Sequence, residues 1–414
     1  MCEGCTASCG QAKKKVSFEW DKLFYLIMGI GLIAAWFYGR TNAVPDFEVL
    51  LQNQMKKVSV VETVKNESYR IVEENGTESL VLLSEESGYG GPFTMATWIG
   101  ADSLIRDVFV LENRETPSFF KKLQDRSFFY QFKKKALADS FEGGQDVDFI
   151  SGATVSSLAF TKAIRNASYQ GGRETFGMSI PKVDEPFNVG WKELIIFLLI
   201  LLSIVASFKS DKRLRLAIQM GSLVFLGFVY NAALSVSGFS SLALGFFPSV
   251  KDHLGWWMLI IGSFGTIIFL TRNIYCGYLC PFHAIQVLLN KISGINLKLS
   301  PRIMKRSRSI SLLLLCLSLL FIFMSANPTL VSYEPFAMIF SLEGVGWQWY
   351  ILPATLLGSF FIKDFFCKFF CPVGQSFTLM IKLKQKLVKN FKQTKLKVQE
   401  QKSCNSQSCV LKNQ

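Results

Sequence analysis

Six long apolar runs divide the chain, and one extended segment between them follows a different pattern. Each run approaches the roughly 20 residues that a helix needs to cross a hydrocarbon core about 30 Å thick. The segment 41–190 instead mixes short strand-like stretches with helical spacing. The pattern predicts a multi-pass α-helical membrane protein, six transmembrane helices with an α+β domain inserted after the first. The predicted spans are 22–39, 192–208, 216–235, 255–271, 310–326 and 347–363.

Within the inserted segment, local patterns predict individual elements. SLVLL at 79–83 and IRDVFVLEN at 105–113 are typical of strands, because β-branched and large apolar residues dominate both. Residues 119–138 and 155–167 have helical spacing. Between the two strands lies GYGGPF at 88–93, a turn whose glycines allow backbone to approach a ligand closely.

The first apolar run follows an N-terminal tail, residues 1–21, that contains a cluster of three lysines at 13–15. A signal peptide would end in a cleavage site formed by small residues, and no convincing one follows this run. We therefore interpret it as a retained anchor, and a cleaved signal peptide is the alternative.

Charge predicts the orientation of the spans. The chain has a formal charge of +14, but segment 41–190 alone carries −5, which leaves +19 elsewhere. Loops 209–215 and 272–308 are rich in Lys and Arg, whereas 236–254 has one basic residue and 327–346 has none. Since basic loops stay in the cytoplasm, both termini are expected inside and segment 41–190 outside. The basic excess is thus a topology signal, and no nucleic-acid partner is expected.

The ten cysteines avoid the segment expected outside. Three lie in the N-terminal tail, five at or between the later spans, and two in the C-terminal segment. A reducing compartment would keep most of them as thiols, so disulfides are not expected.

Two of the cytoplasmic span ends share the motif Cys-x-x-x-Cys-Pro. It occurs at 276–281 and 367–372, and positions i and i+4 share a helix face. Cys276, Cys280, Cys367 and Cys371 together suit an iron–sulfur cluster, and zinc or another soft metal stays possible. The alternative to a metal site is that the motifs are two unrelated pairs of buried cysteines. Haem is disfavoured, because the two histidines, His253 and His283, fall on opposite predicted sides of the membrane.

Three ordered motifs give segment 41–190 a family resemblance. Gly-Tyr-Gly-Gly-Pro, Glu-Thr-Pro at 115–117 and Asp-x-x-Ser-Gly-Ala-Thr-x-Ser at 148–156 resemble the FMN-binding domain of sodium-pumping and related redox complexes and of NosR-like proteins. The resemblance implies FMN joined through its phosphate to the Ser156 hydroxyl by a dedicated flavin transferase, although the family usually has Thr at that position. It also implies a set of further cofactor-site residues. These are Asp148, which the transferase would recognise, together with Ser151, Gly152, Ala153, Thr154, Ser157, Gly90, Gly91, Glu115 and Thr116.

An outside FMN domain followed by two CxxxCP motifs resembles the NosR/NirI-like membrane flavoproteins. The C-terminal segment 364–414 holds the second motif and a basic tail, with Cys404 and Cys409 but no ferredoxin-like extension. This short form resembles the RdhC/PceC-type proteins that are encoded with reductive dehalogenases. The roles of Cys2, Cys5 and Cys9 are not predicted by any of these patterns.

The resemblance implies an electron-transfer protein of the cell membrane. Menaquinol, or a cytoplasmic donor, would supply electrons through the sulfur-ligated centre to FMN and on to an exocytoplasmic reductase such as a reductive dehalogenase. We expect the two centres to lie about 30 Å apart, one at each membrane face, with a quinone or other carrier between them. A maturation factor or a regulator of that reductase is the alternative. A transporter is disfavoured, because the spans are nearly free of charged residues.

Overall fold

The structure is a computed structural model. It describes residues 20–42, 45–55, 58–65, 68–73, 76–180, 189–209, 211–331, 333–342 and 344–410. Cys2, Cys5, Cys9 and nearly all of the N-terminal tail 1–21 lie outside these residues. Cys404 and Cys409 lie in a helix.

The inserted segment forms an antiparallel five-stranded sheet in the order β1-β2-β3-β4-β5, so each strand pairs with its neighbour in sequence. The alternation of side chains separates two cores on opposite faces of the sheet. Leu82 and Met95 face a core shared with helices that follow the sheet, while Val81 and Ala96 face the other side. The strands are β1 (Val58–Lys65), β2 (Ser68–Glu73), β3 (Glu78–Ser87), β4 (Pro92–Ile99) and β5 (Ile105–Asn113).

Helices cover both faces of this sheet. Helix α2 (Phe47–Gln54) packs Leu51 against one face, and the long helix α4 (Thr154–Glu174) packs against β3 and β4 on the other. The predicted strand 105–113 and the helix over 155–167 are confirmed, and that helix extends to Glu174. The domain is therefore α+β, as the sequence predicts.

The single helix expected over 119–138 is wrong. Helix α3 (Pro117–Asp125) ends there, and Ser127 adopts a left-handed conformation with φ of 52°. A short 3₁₀ helix follows, Phe128–Phe132, and it buries both of its terminal phenylalanines in the core.

The rest of the described chain is helical. Its helices are α1 (Trp20–Asn42), α5 (Trp191–Lys209), α6 (Lys212–Ser222), α7 (Val236–Leu244), α8 (Leu254–Gly265), α9 (Pro281–Ser293), α10 (Pro301–Ser325), α11 (Phe336–Ser341), α12 (Gln348–Phe361), α13 (Phe365–Phe369) and α14 (Pro372–Val410). By length and composition, α5 and α10 are the two helices in the described ranges that could cross a membrane.

Three short π-helical stretches interrupt this helical part. Leu223–Val229 continues α6, Thr266–Leu270 continues α8, and Tyr275–Leu279 carries the first cysteine motif. After the first of these, residues 231–235 are not helical, although the apolar run continues through them. π-Helical turns are rare in proteins overall, and those that occur often lie at functional sites. Here they border both candidate sites.

Candidate functional sites for flavin and for a metal cluster

Ser156 lies in the first turn of α4 and is 1% exposed. Its hydroxyl donates a hydrogen bond of 3.0 Å to the Glu115 carboxylate. Helix α4 begins at Thr154, so the free amides of its first turn point toward the preceding Ser-Gly-Ala turn, as a phosphate-binding helix terminus requires. The amides and the hydroxyl thus lie at the same end of α4.

The remaining motif residues occupy different environments. Ser157 is buried and accepts a hydrogen bond from the Ile150 amide, so it closes the turn. Ala153 is buried as the residue that precedes α4. The backbone of Asp148 is fixed by two hydrogen bonds to the Gln131 side chain. Four of these residues are exposed on the surface, namely Asp148, Ser151, Gly152 and Thr154.

Glu115 organises the glycine-rich turn. Its carboxylate accepts hydrogen bonds from the amides of Tyr89, Gly90 and Thr116, at 2.7, 2.7 and 2.6 Å, besides the Ser156 hydroxyl. Burial raises the pKa of Glu115, while these donors oppose that rise by stabilising the charged form. We take the ionised form as the one that fits this site, because all four partners are donors.

The glycines of the turn are required by protein packing. A Cβ atom on Gly90 would lie 2.4 Å from the Thr116 hydroxyl oxygen, and one on Gly91 would lie 2.6 Å from the Arg114 carbonyl oxygen. The turn therefore rests directly on the Glu-Thr-Pro segment. We predicted that these glycines let backbone approach a ligand, whereas the structure shows that they let two cofactor motifs approach each other.

A cleft opens between this turn and the helical part of the chain. The turn and Val155 form one wall, and the opposite wall contains aromatic residues of the helical part. The cleft encloses only about 50 Å³ and Ser156 does not line it, so FMN would need its two walls to move apart. The aromatic wall and the nearby start of α4 are the groups that would then contact the ring system and the phosphate. The aromatic residues of the second wall are Tyr230, Phe246 and Trp256.

The four cysteines of the CxxxCP motifs line one cavity of about 550 Å³. Cys276 and Cys280 approach it from the π-helical turn before α9, while Cys367 lies in α13 and Cys371 just before α14. Among the described residues, no three metal-binding side chains are close enough to hold a single ion. Four thiols that line one cavity supply the all-cysteine ligand set of an iron–sulfur cluster, and zinc accepts the same ligands.

Hydrogen-bond donors point at two of these sulfurs. The Gln286 side chain donates to Cys367 at 3.2 Å, and the Gly374 amide donates to Cys371 at 3.3 Å. Gln286 is itself held by the Phe366 amide, which donates to its carbonyl oxygen at 2.9 Å. Donors of this kind orient cysteine ligands and tune the potential of a bound cluster. Sequence reasoning missed Gln286, although it lies on α9 directly after the first motif.

Two further polar side chains near the sites are buried. His283 lines the cysteine cavity, with its Nε2 3.1 Å from Asp364. Glu334 is 2% exposed and accepts hydrogen bonds from the Val236 amide. His253 lies in the flavin cleft, 3.2 Å from the Ser87 carbonyl oxygen. The two histidines thus belong to different cavities.

The two candidate sites are joined by contacts with one short segment of the helical part. The Tyr89 hydroxyl contacts Ala233 of the helical part at 3.2 Å. The next residue, Leu234, lines the cysteine cavity and donates its amide to the Tyr275 hydroxyl at 2.7 Å. The non-helical segment 231–235 therefore reaches both sites, which a continuous helix over 216–235 could not do.

Comparisons with known proteins agree with both sites. The family model described as an FMN-binding domain matches residues 88–168, and that of a 4Fe-4S binding domain matches 253–300 and 347–390. The first match covers the glycine-rich turn, Glu115 and Ser156, and the second covers all four cavity cysteines. The chain thus contains an FMN-binding domain and a 4Fe-4S binding domain.

Curated relatives match over part of their length. Protein NirI of Paracoccus denitrificans is 29% identical over 192 residues, which is 42% of this chain and 27% of that protein. Regulatory protein NosR of Pseudomonas aeruginosa is 26% identical over 41% of this chain and 26% of its own length. NosR of Stutzerimonas stutzeri is 26% identical over 39% of this chain and 24% of its own length. The chain spans about a quarter of the length of the curated relatives it matches, and over that part it is similar to NirI and NosR.

Proposed function

We propose that this protein carries electrons within the cell membrane, between a cluster held by the four cavity cysteines and FMN attached to Ser156. The observation that carries the proposal is the contact between the two sites through segment 231–235. Such contact between an FMN-binding domain and a 4Fe-4S binding domain suits electron transfer between the two bound groups. Flavin suits this junction, because it exchanges two electrons with one partner and single electrons with another.

The chain's own residues prepare the flavin site. Glu115 holds the glycine-rich turn and accepts the Ser156 hydroxyl proton in a hydrogen bond, which aims the hydroxyl oxygen toward a phosphate. The free amides at the start of α4 would bind that phosphate. Tyr230, Phe246 and Trp256 would exclude water from the ring system. A phosphoester between Ser156 and FMN, formed by a flavin transferase, is the attachment we propose.

We further propose a multi-pass topology with six spans, with the flavin domain outside and both termini in the cytoplasm. Large apolar side chains on α1 and α5 are exposed, including Ile30 at 60% and Leu194 at 65%, as lipid-facing residues would be. Helix α8 with its π-helical continuation has 17 residues, about 25 Å. Shorter spans of this kind are tolerated where neighbouring protein satisfies the adjoining backbone.

The attachment is tested at Ser156. Replacing Ser156 with alanine removes the nucleophilic oxygen, so we expect complete loss of flavin fluorescence from the protein band on a denaturing gel. Ser156→Thr restores the residue usual in the family and should keep the fluorescence. Ser157→Ala is the matched control, because that hydroxyl is adjacent and equally buried. Fluorescence that persists in Ser156→Ala would assign the attachment to another residue.

The cluster is tested at the four cavity cysteines. Replacing Cys276 or Cys367 with serine should lower the iron content of the purified protein to a small fraction of the wild-type value, because an iron–sulfur cluster needs thiolate ligands. Cys316→Ser is the control, since Cys316 is buried on α10 and does not line the cavity. Iron retained after the loss of two cavity cysteines, or lost equally in the control, would contradict the assignment.

For the partners, we propose an exocytoplasmic reductase as the electron acceptor and menaquinol as the donor. The resemblance to RdhC/PceC-type proteins supports a reductive dehalogenase as that reductase. Because contacts join the two sites, the proposal uses the quinone as a donor and not as a bridge, and a cytoplasmic donor is the alternative. Membrane vesicles given a reduced menaquinone analogue should reduce the flavin, and vesicles with Cys276→Ser should not.

The second candidate function is maturation or regulation of the same reductase. The name of the relatives, regulatory protein NosR, favours it. Deleting the gene separates the two functions. Loss of electron supply to a reductase that still contains its cofactor would support electron transfer, whereas a reductase that lacks its cofactor would support maturation.

A further inference from the structure

Two tyrosines from different domains meet across one peptide bond. The Tyr89 hydroxyl donates to the Ala233 carbonyl oxygen and accepts from the Ala233 amide, both at 3.2 Å. The next amide, that of Leu234, donates to the Tyr275 hydroxyl at 2.7 Å. Followed bond by bond through the peptide, the two phenol oxygens are no more than about 8.5 Å apart.

Tyr89 belongs to the flavin site. It lies in the glycine-rich turn and lines the cleft, and its amide donates to the same carboxylate oxygen of Glu115 that accepts from Ser156. Its ring packs edge-on against Phe119, with ring centroids 5.1 Å apart. The ring is therefore fixed, with its backbone near Ser156 and its hydroxyl reaching into the helical part.

Tyr275 belongs to the cysteine cavity. It directly precedes Cys276, is 1% exposed and lines the cavity with all four cysteines. The Leu234 amide thus holds the hydroxyl of a phenol that lies beside the first cysteine motif.

We propose that Tyr89, the Ala233–Leu234 peptide and Tyr275 form the connection through which electrons pass between the cluster and FMN. This inference rests on the proposed function, since it assumes that both sites bind these groups. In each transfer the cluster loses one electron and the flavin gains it, or the reverse. Both tyrosines keep their protons and their oxidation state. They provide a path of covalent bonds and hydrogen bonds, where electrons would otherwise have to cross a gap between the two sites.

A third phenol provides a matched control. The Tyr333 hydroxyl donates to the Phe370 carbonyl oxygen at 2.8 Å, directly before Cys371. It is thus beside the second cysteine motif as Tyr275 is beside the first, but its hydroxyl bonds to Phe370, whereas that of Tyr275 bonds to segment 231–235. Tyr333→Phe removes the same chemical group at a comparable place off the proposed connection.

The test measures electron transfer within the purified full-length protein. After rapid mixing with less than one equivalent of dithionite, the flavin absorbance and the iron signal are followed together until they reach equilibrium. We expect the rate of internal equilibration to fall roughly tenfold in Tyr275→Phe, and further in Tyr275→Leu, which removes the ring. Tyr89→Phe should slow it likewise, and Tyr333→Phe should leave it unchanged.

Each variant is also measured for flavin content, iron content and the two midpoint potentials. If Tyr89 and Tyr275 act only by connecting the sites, these quantities stay at wild-type values. Equal rates in wild type and the Tyr89→Phe/Tyr275→Phe double variant would overturn the connection, even if both groups are bound. Equal slowing in Tyr333→Phe would overturn it as well, because the effect would then be general. Wild-type protein without flavin or iron would instead overturn the proposed function itself.

Discussion

At the scale of single residues, two buried carboxylates lie near the contact between the domains and differ in their partners. Glu115 accepts four hydrogen bonds, whereas for Glu334 the described partner of its carboxylate is the Val236 amide. Burial therefore raises the pKa of Glu334 to about 8, well above its ordinary value. A carboxyl group that is neutral in a folded protein at pH 7 makes the stability of that protein depend on pH.

We predict that stability falls as pH rises from about 4.5 to about 8. Over this interval Glu334 is protonated when folded and ionised when unfolded, so each pH unit costs at most about 1.4 kcal/mol. Thermal unfolding in detergent, followed by tryptophan fluorescence, should show this slope in wild type and a flatter one in Glu334→Gln. Glu174→Gln, at an exposed acid, is the control. An unchanged slope in Glu334→Gln would contradict the environment described for Glu334.

Motifs predicted the residues that would bind the two groups, but not the residues that connect them. Ser156 and the four cavity cysteines stand in short local patterns, whereas Tyr89 and Tyr275 are 186 positions apart in sequence. Their partners are backbone groups of segment 231–235, for which no side-chain pattern exists. The available signal was weak, namely a tyrosine within the glycine-rich turn and another directly before a ligand cysteine.

At the scale of elements, the elements missed from sequence are those whose environment is set by tertiary packing. Strand β4 reads PFTMATWI and is buried at nearly every position, so it lacks the alternation that reveals a half-exposed strand. Strand β5 has one face partly exposed, and its pattern was sufficient to predict its exact bounds. Burial on both faces removes the very signal from which strands are predicted.

The apolar run 216–235 shows the same limit for helices. Its composition fits a span throughout, yet the structure describes α-helix to Ser222, π-helix to Val229 and no helix from 231 to 235. Hydrophobicity reports that a segment avoids water, and it does not report the backbone conformation. The Tyr89 and Tyr275 hydroxyls accept hydrogen bonds from the Ala233 and Leu234 amides, which an uninterrupted helix would have paired with its own carbonyl groups.

At the scale of the whole molecule, polar contacts hold the flavin domain against the helical part. Lys162 of α4 forms an ion pair with Asp252, in the loop before α8. The Ser241 hydroxyl donates to the Gly90 carbonyl oxygen at 3.2 Å, and the Thr329 hydroxyl donates to that of Glu115 at 3.2 Å. These contacts join both cofactor motifs of the flavin domain to the helices, so the distance between the two centres depends on them.

We predict that Asp252→Asn loosens this contact, because it removes the carboxylate that pairs with the largely buried Lys162 ammonium. The loss of about 1.5 to 3 kcal/mol should speed hydrogen exchange of the Ala233 amide, which the Tyr89 hydroxyl protects. Mass spectrometry of the exchanged protein measures this. Asp107→Asn breaks the pair with Lys133 inside the flavin domain and should leave that amide unaffected. Equal exchange in the two variants would show that the ion pair does not hold the domains together.

The burial of Ser156 constrains the order in which the protein is made. Its hydroxyl is enclosed by Glu115, whose own backbone is bonded to Thr329 of the helical part. A transferase that adds FMN needs that oxygen free, so under the proposed function it must act before the domain docks. Attachment of FMN must then precede docking during biogenesis, because early docking would bury the Ser156 hydroxyl and leave the chain without flavin.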